Sequence, residues 1–341
     1  MGHERLRYRE DASRCRHQLL KTVSLNTDSL PAFLSQSTPR LTDKFPVLPS
    51  RPFRQPVPMI ALTENEIRTA VRAALAEDVG SGDVTTLACI PPEESSVALM
   101  NAREPLVLAG LAFAEAAFRE LSPNVKLERL AEDGAKLPAK SPVLRISGQT
   151  RTLLTAERVA LNFVQRLSGV ATLTAQFVGL LRGTKTRVLD IRKTTPGWRR
   201  FEKYAVTCGG GMNHRVGLYD MILIKDNHLA ALAAEKPNAI AAAVTRSRRL
   251  YPKLKVEVEA DTLEQVAQAA EAGADIILLD NMTPDQLRQA VALVAGRTQT
   301  EASGGVRLDT VRAIAETGVD FVSVGALTHS ARAVDLGLDF L

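Results

Sequence analysis

The sequence contains few cysteines and no long apolar run. Cys15, Cys89 and Cys208 are widely spaced and match neither a disulfide framework nor a Cys-x-x-Cys metal site, which favours a reducing compartment. No stretch approaches the ~18 consecutive apolar residues of a transmembrane helix, and the N-terminus lacks the apolar core of a secretory signal. We therefore expect a cytoplasmic protein with no membrane-spanning segment.

Aromatic residues and net charge are also scarce. Phe, Trp and Tyr make up 4% of the chain, and 43 Lys and Arg exceed 38 Asp and Glu by only five. Several of these cations lie in the first 58 residues, and no basic run is interleaved with aromatic residues. The pI of about 9.2 therefore does not indicate a nucleic-acid partner. At 341 residues and 45% hydrophobic content, the chain can form an α/β barrel plus a smaller domain, and a globular enzyme is the expectation.

Residues 1–58 differ in composition from the rest. They are rich in Arg, Ser, Thr and Pro, without the periodicity of a helix or strand, so we predict a disordered extension. After Met59 an apolar helical pattern begins, with Thr63 and Glu66 placed to form a capping box. Either translation starts at Met59 and the extension is a gene-calling artefact, or the extension is a targeting segment; its acidic residues favour the artefact.

The next part, 59–170, is predicted to be a small α+β module, to which residues 331–341 could return. Its pattern contains short strands and turns, with a helix over about 113–121, because apolar residues alternate in brief runs between turn residues. A second amphipathic helix is predicted over about 155–169 and should bridge the two domains.

Residues 171–330 alternate short apolar strands with amphipathic helices. The strands are predicted at 187–191, 220–224, 255–259, 275–279, 299–303 and 320–324. Strands that are apolar throughout are buried on both faces, and the repeated strand–helix unit implies parallel strands with right-handed crossovers. This pattern predicts a TIM-like barrel, and with six clear strands its completeness stays open.

Three motifs place cations at the ends of these strands: D-I-R-K-T-T-P-G from Asp190, G-G-G-M-N-H-R from Gly209, and I-K-D-N-H from Ile224. The cations are Arg192, Lys193, His214, Arg215 and Lys225. In a barrel of parallel strands the carboxyl ends form one face, which carries the active site. Converging cations on that face indicate a small polyanionic ligand.

Carboxylates and glycines follow the later strands on the same face. Glu259 and Asp280 come from neighbouring strands, where they could hold Mg²⁺ through water and substrate phosphate, or bind ribose hydroxyls directly. The turn Ser303–Gly304–Gly305, followed by a helix from about residue 308, and the step at Gly325 are suited to cradling phosphate.

Ordinary structural roles compete with these interpretations. Glu259 could pair with Lys255 or Lys225, and Arg158 lies on the polar face of a helix, where an ion pair is the default. His228 and His329 lack metal-ligand spacing and are read as structural. Cys208 has no evident His or Asp partner and is not expected to be a nucleophile.

Taken together, the motifs resemble those of quinolinate phosphoribosyltransferase, a type II phosphoribosyltransferase. The resemblance extends from residue 59 to 341 and includes E-D-V-G-S-G-D-V-T-T, A-E-R-V-A-L-N-F, R-K-T-T-P-G, N-H-R-x-G-L-Y-D, I-K-D-N-H, V-E-V-E, L-L-D-N and E-A-S-G-G. It implies a pentosyltransferase of NAD biosynthesis that joins quinolinate to 5-phosphoribosyl-1-pyrophosphate (PRPP). The implied products are nicotinate mononucleotide, carbon dioxide and pyrophosphate, with Mg²⁺ as cofactor.

The resemblance also implies residue roles. Arg158, donated by a neighbouring subunit, would hold the quinolinate carboxylates together with Arg192, His214, Arg215 and Lys225. The phosphoribosyl side would be served by Lys193, Glu259, Asp280, Ser303, Gly304, Gly305 and Gly325, with Lys193, Glu259 and Asp280 catalytic. The implied fold is that of type II phosphoribosyltransferases, with an N-terminal α/β sandwich domain and an incomplete, six-stranded TIM-like α/β barrel. A homodimer is implied, and a hexamer stays open.

Two other functions fit the same pattern less well. One is a related phosphoribosyltransferase that acts on another ring, such as nicotinate; two carboxylate-binding clusters favour quinolinate. The other is a non-catalytic barrel that senses a phosphorylated or dicarboxylate ligand, which would not need Glu259 and Asp280 beside the phosphates.

Overall fold

The structure is a computed structural model and describes residues 60–341. The predicted disordered extension, 1–58, lies outside the described residues. Among those described, no helix is both long enough and apolar enough to cross a membrane.

The N-terminal part builds a layer of helices against an antiparallel sheet. In chain order it contains α1 (Glu64–Val79), α2 (Val84–Cys89), β1 (Ser95–Ala102), β2 (Leu106–Val107), α3 (Leu111–Leu121), β3 (Lys126–Arg129), β4 (Lys136–Leu137), β5 (Pro142–Gln149) and α4 (Thr150–Leu180). The capping box predicted at the start of α1 is present, with the Thr63 hydroxyl accepting from the Glu66 backbone.

The C-terminal part alternates strands and helices. It contains β6 (Arg187–Leu189), α5 (Arg199–Cys208), β7 (Ile222–Ile224), α6 (Asp226–Ala231), α7 (Ala239–Leu250), β8 (Val256–Ala260), α8 (Leu263–Glu271), β9 (Ile276–Asp280), α9 (Pro284–Val294), β10 (Gln299–Ser303), α10 (Val311–Ala315), β11 (Phe321–Ser323), α11 (Ala326–His329) and β12 (Leu336–Phe340). All six barrel strands predicted from the sequence are confirmed.

The six barrel strands form one parallel sheet in the order β6-β11-β10-β9-β8-β7. β6 and β7 are its two edges, so the seam between them carries no strand-to-strand ladder. The segment 209–221 touches β6 through a parallel bridge between Leu189 and Met212 and then leads into β7. The barrel is therefore incomplete, as the resemblance implies.

The last strand returns to the N-terminal sheet. This sheet has the order β12-β1-β5-β3, and β12 pairs antiparallel with β1, with Met100 opposite Leu338. The predicted domain boundary at residue 170 falls inside α4, and its position stays a prediction.

Helix α4 is longer than predicted. It runs for 31 residues, and its buried side chains belong to one apolar core that includes residues of both parts. Phe163 stacks on Phe113 of α3 and on Trp198, each with 4.9 Å between ring centroids. These contacts join α4 to the N-terminal layer and to the segment that leads into α5.

The helix expected from residue 308 begins later, at Val311. Residues 307–310 form a turn instead, in which the Arg307 backbone N–H donates to the Thr310 hydroxyl at 3.0 Å. The short strand β4 was absent from the sequence-based prediction.

Candidate active site

A cavity of about 870 Å³ opens at the carboxyl ends of the parallel strands. Eleven of the twelve site residues predicted from the sequence line it: Arg192, Lys193, His214, Arg215, Lys225, Glu259, Asp280, Ser303, Gly304, Gly305 and Gly325. Arg307 adds a further cation to the wall. The strand ends thus gather cations, carboxylates and glycine turns around one space, as expected for this face of a barrel.

Arg158 is the predicted residue that does not line this cavity. It is exposed on α4. Its assignment to the site of a neighbouring subunit stays a prediction.

Two arginines on the β6 side of the cavity, Arg192 and Arg215, have N–H groups that make no hydrogen bond within the described chain. The Nε atoms of Arg192 and Arg215 are buried and have no hydrogen-bond partner within the described chain. Burial, reinforced by the charge of Arg192, lowers the pKa of Arg215. Unpaired buried donors are costly, so these two guanidinium groups are arranged for an anionic acceptor that enters from the cavity.

A buried network holds the segment that carries His214. The Lys203 ammonium and the Asp190 carboxylate, both fully buried, form an ion pair. Lys203 Nζ also donates to the His214 carbonyl at 2.9 Å, and Asp190 accepts from the His214 backbone N–H at 2.9 Å. Asn213 Nδ2 completes the network with a 2.6 Å bond to Asp190. The position of His214 therefore depends on a helix residue and a strand-end residue that do not line the cavity.

Beneath the cations lie two buried carboxylates that the sequence-based prediction did not single out. His214 Nε2 lies 2.8 Å from Glu257 Oε2 and 3.6 Å from Glu301 Oε2. Burial opposes a charge on the His214 ring, but the negative charge shared by the Glu301–Glu257 pair outweighs it and raises the pKa of His214 to about 9. The imidazole is thus favoured in its cationic form near neutral pH.

The opposite side of the cavity carries two half-buried carboxylates, Glu259 and Asp280. Lys225 forms an ion pair with Glu259, which decides between the two partners proposed for this glutamate. Asp280 accepts a hydrogen bond from Asn281 Nδ2 at 2.6 Å. Both carboxylates have partners, yet both still line the cavity.

The predicted anion-binding turn has a strained backbone. Asn281, Gly304 and Gly305 all have positive φ angles, of 54°, 95° and 59°. The Asn281 N–H donates to the Ser303 carbonyl at 2.9 Å, so this residue packs against the glycine turn. A Cβ at Gly304 would lie 2.1 Å from Asn281 Oδ1. Glycine is thus required at this position by both conformation and space.

We expect Gly304→Ala to weaken the binding of a phosphate-bearing ligand at least tenfold, as an order of magnitude for about 1–3 kcal/mol of local strain. The measurement is the dissociation constant of that ligand. Gly296→Ala is the matched control, because Gly296 also has a positive φ, of 74°, but a Cβ there meets nothing within 4 Å. Equal losses in both variants would mean that backbone strain alone, and not the Asn281 contact, explains the effect.

Three residues were predicted to be structural: Cys208, His228 and His329. The first two fit that prediction, whereas His329 lines the cavity. Burial raises the pKa of the Cys208 thiol to about 12, so the thiolate is scarce and no nucleophilic role is indicated. The Lys225 backbone N–H donates to His228 Nδ1 at 2.9 Å, at the start of α6. His329, in contrast, lines the cavity beside Gly325.

Comparison with known proteins relates the chain to one family. Family models for the N-terminal and C-terminal domains of quinolinate phosphoribosyl transferase match residues 83–168 and 170–339. A probable nicotinate-nucleotide pyrophosphorylase (carboxylating) of Bacillus subtilis is 42% identical over 264 residues, which are 77% of this chain and 89% of that protein. The corresponding Mycobacterium leprae protein is 43% identical over 278 residues, with 80% and 96% covered.

A solved structure agrees with this relationship. The nicotinate-nucleotide pyrophosphorylase from Francisella tularensis superposes with a TM-score of 0.79 at 40% identity, covering 84% of this chain and all of that one.

Proposed function

The chain belongs to the quinolinate phosphoribosyltransferase family, and from this premise we propose that it transfers the phosphoribosyl group of PRPP to quinolinate with Mg²⁺. The transfer is coupled to loss of carbon dioxide and gives nicotinate mononucleotide and pyrophosphate. The observation that carries this proposal is the arrangement of the cavity, which places a buried cation cluster opposite carboxylates and a glycine turn.

The cation cluster suits a small aromatic dicarboxylate. The free Nε donors of Arg192 and Arg215 match carboxylate oxygens, which guanidinium groups bind in a planar, bidentate way. We assign them, with His214 and Lys225, to the quinolinate carboxylates, and Arg158 to the same ligand from a partner subunit.

The opposite side suits the phosphoribosyl group. The Ser303–Gly304–Gly305 turn offers backbone N–H groups to a phosphate, and Lys193 adds a mobile charge at the mouth. The Lys193 backbone is anchored, since its carbonyl accepts from the Thr328 hydroxyl at 2.7 Å. Glu259 or Asp280 would orient the ribose hydroxyls.

The oxygen donors of Glu259 and Asp280 fit Mg²⁺, which prefers carboxylates, waters and substrate phosphates. Because Glu259 is paired with Lys225 and Asp280 with Asn281, each would hold the ion through water rather than directly. When bound, Mg²⁺ supplies positive charge against the pyrophosphate oxygens.

In the first step the pyridine nitrogen attacks the anomeric carbon while pyrophosphate leaves. The ribose passes through a cationic state, so Lys193 would offset the negative charge that builds on the leaving group. The quaternised ring then accepts the electrons released by loss of the 2-carboxylate, so no organic cofactor is needed. A tight grip on that carboxylate would oppose its loss, and we therefore place the stronger cationic contacts at the 3-carboxylate.

The direct test incubates purified protein with quinolinate, PRPP and Mg²⁺ and follows carbon dioxide and nicotinate mononucleotide. Production of both, lost on chelation and restored by added Mg²⁺, supports the proposal. Turnover of nicotinate instead of quinolinate would move the function to a related phosphoribosyltransferase. Binding of these ligands without turnover would support a sensor.

The shared active site predicts complementation between inactive variants. Arg158→Ala and Lys193→Ala should each be nearly inactive, because each removes one charge from every site. Randomly mixed subunits should regain about a quarter of the activity, since half of the dimers then contain one intact site of two. The measurement is the activity of subunits mixed by co-expression.

The control mixes Lys193→Ala with Lys225→Ala. Both residues line the cavity of one chain, so mixing restores no intact site. Failure of the Arg158 mixture to regain activity would place Arg158 outside the site.

A further inference from the structure

The His214–Glu257–Glu301 cluster lies below the proposed quinolinate site. Its candidate ligand atoms all lie within 4.8 Å of one another, and all three residues are buried. Glu301 also lines the cavity, whereas Glu257 does not. His214 and Glu301 thus border the substrate space, and Glu257 supports them from behind.

The two glutamates of the cluster are too buried and too close together for both carboxyl groups to be ionised. Glu257 is 0% exposed and Glu301 1% exposed, and Glu257 Oε1 and Glu301 Oε2 have no hydrogen-bond partner within the described chain. Two buried carboxylates this close cannot both be charged at modest cost. A proton on one of them removes the conflict.

Burial and Glu257 favour Glu301 as the protonated member. Glu257 faces it from β8 and His214 from the segment before β7, while Ser323 on β11 and Leu278 on β9 are uncharged. Burial, followed by the charge of Glu257, raises the pKa of Glu301 far above that of an ordinary glutamate, and these two causes outweigh the opposing charge of His214. The Glu257 carboxyl group instead faces the imidazole, at 2.8 Å.

The proposed reaction requires one proton that neither substrate brings. When the bond to the 2-carboxylate breaks, its electron pair stays on the ring carbon next to the quaternised nitrogen. That carbon must gain a proton before it recaptures carbon dioxide in the enclosed site.

We propose that Glu301 is the general acid that protonates this ring carbon, held in its acid form by its burial beside Glu257. The inference rests on the proposed function. In this step the bond to carbon dioxide breaks, the carbon–hydrogen bond forms, and the Glu301 carboxyl group becomes a carboxylate beside the imidazolium. Solvent returns the proton after the product leaves. Glu257 touches no cavity atom and is a positioning residue.

The test uses the variant Glu301→Gln, whose carboxamide has the shape of the carboxyl group but cannot donate an acidic proton. It measures phosphoribosyl transfer and decarboxylation as separate steps. In a single turnover with quinolinate, PRPP and Mg²⁺, pyrophosphate and carbon dioxide are measured separately. We expect pyrophosphate release to approach one equivalent per site while carbon dioxide release slows by about 100-fold or more, the usual scale of general acid catalysis. Quinolinate affinity should change less than about threefold, because the carboxamide adds no charge to a neutral carboxyl.

The pH dependence of carbon dioxide release should reflect the ionisation of Glu301. Ionisation of Glu301 removes the donor, so carbon dioxide release by the unchanged protein should fall as the pH rises into the alkaline range. That fall should be absent from the residual activity of Glu301→Gln.

Glu316→Gln is the matched control, because Glu316 is exposed at the end of α10 and pairs with Arg312. Equal slowing of pyrophosphate and carbon dioxide in Glu301→Gln would make Glu301 a structural residue and overturn the proposal. So would the loss of a bound metal ion from that variant by elemental analysis, since the cluster would then be a metal site.

If Glu301→Gln does not fold, a measurement on the unchanged protein can still test whether an acid donates the proton. Carbon dioxide release should show a normal solvent deuterium isotope effect, and its absence would overturn the proposal. Failure of the unchanged protein to turn over quinolinate at all would instead remove the proposed function.

Discussion

Replacing Lys203 with methionine should lower the free energy of unfolding by about 3–5 kcal/mol, because it leaves the Asp190 carboxylate buried without its cation. Both side chains of this ion pair are fully buried. Burial already raises the pKa of Asp190 and lowers that of Lys203, so each depends on the other to stay charged. Denaturant titration of the variant and of the unchanged protein measures the difference.

A second substitution tests whether the unpaired Asp190 carboxylate is the cause of the lost stability. The double variant Asp190→Asn, Lys203→Met removes the unpaired charge and should recover at least ~1 kcal/mol of the loss. The control Lys185→Met breaks the exposed pair with Asp320 and should cost less than about 1 kcal/mol. A double variant no more stable than Lys203→Met alone would show that the buried charge is not the source of the instability.

Replacing Arg215 with lysine should lower kcat/KM for quinolinate by about 1,000-fold, within the 2–5 kcal/mol typical when a buried charge pair loses one partner. Lysine keeps the positive charge but not the planar fork that can meet a carboxylate with two parallel bonds. It also loses the bond from the guanidinium to the Met221 carbonyl, which is 3.2 Å long and fixes the side chain.

Steady-state kinetics with each substrate varied separately measure this effect. The KM for PRPP should change less than about threefold, because we assign Arg215 to quinolinate and not to PRPP. Arg312→Lys is the control, since Arg312 is exposed on α10 and pairs with Glu316. A loss shared equally by both substrates would mean that Arg215 supports the fold of the site rather than quinolinate binding.

The barrel could be predicted from the sequence because its strands are buried on both faces. In β9 the run Ile276–Leu279 is apolar and fully within the core, and such runs are typical of parallel strands. The cations and the glycine turn were found for a related reason. They directly follow these strands, so the direction of each strand determines the face on which they meet.

The end of α4 could not be predicted in the same way. Glycine at position 169 reads as a helix end, yet the helix continues to Leu180. A Cβ at Gly169 would lie 2.0 Å from the Arg332 carbonyl oxygen. This glycine permits a close crossing of two chain segments far apart in sequence, and the contact cannot be read from local pattern.

The buried charges of the site were missed for a different physical reason. Lys203 lies in an amphipathic helix, and Glu257 and Glu301 lie in strands where a charged residue usually faces solvent. Their burial depends on partners supplied by other elements, namely Asp190 and His214. The motifs V-E-V-E and E-A-S-G-G contained both glutamates, but nothing in their spacing showed that they converge beneath one imidazole.

The seam between β6 and β7 affects how the substrate preference of such an enzyme could change during evolution. The residues that would grip the phosphoribosyl group lie at the ends of strands held by continuous ladders. His214 and Arg215 lie instead on segment 209–221, which has one strand-like bridge, at Met212, and is otherwise held by side-chain contacts with Asp190, Lys203 and Glu257. Mutation can therefore remodel the ring-binding wall without disturbing strand pairing. We expect descendants of this fold to change the aromatic acid they accept far more readily than the sugar phosphate they use.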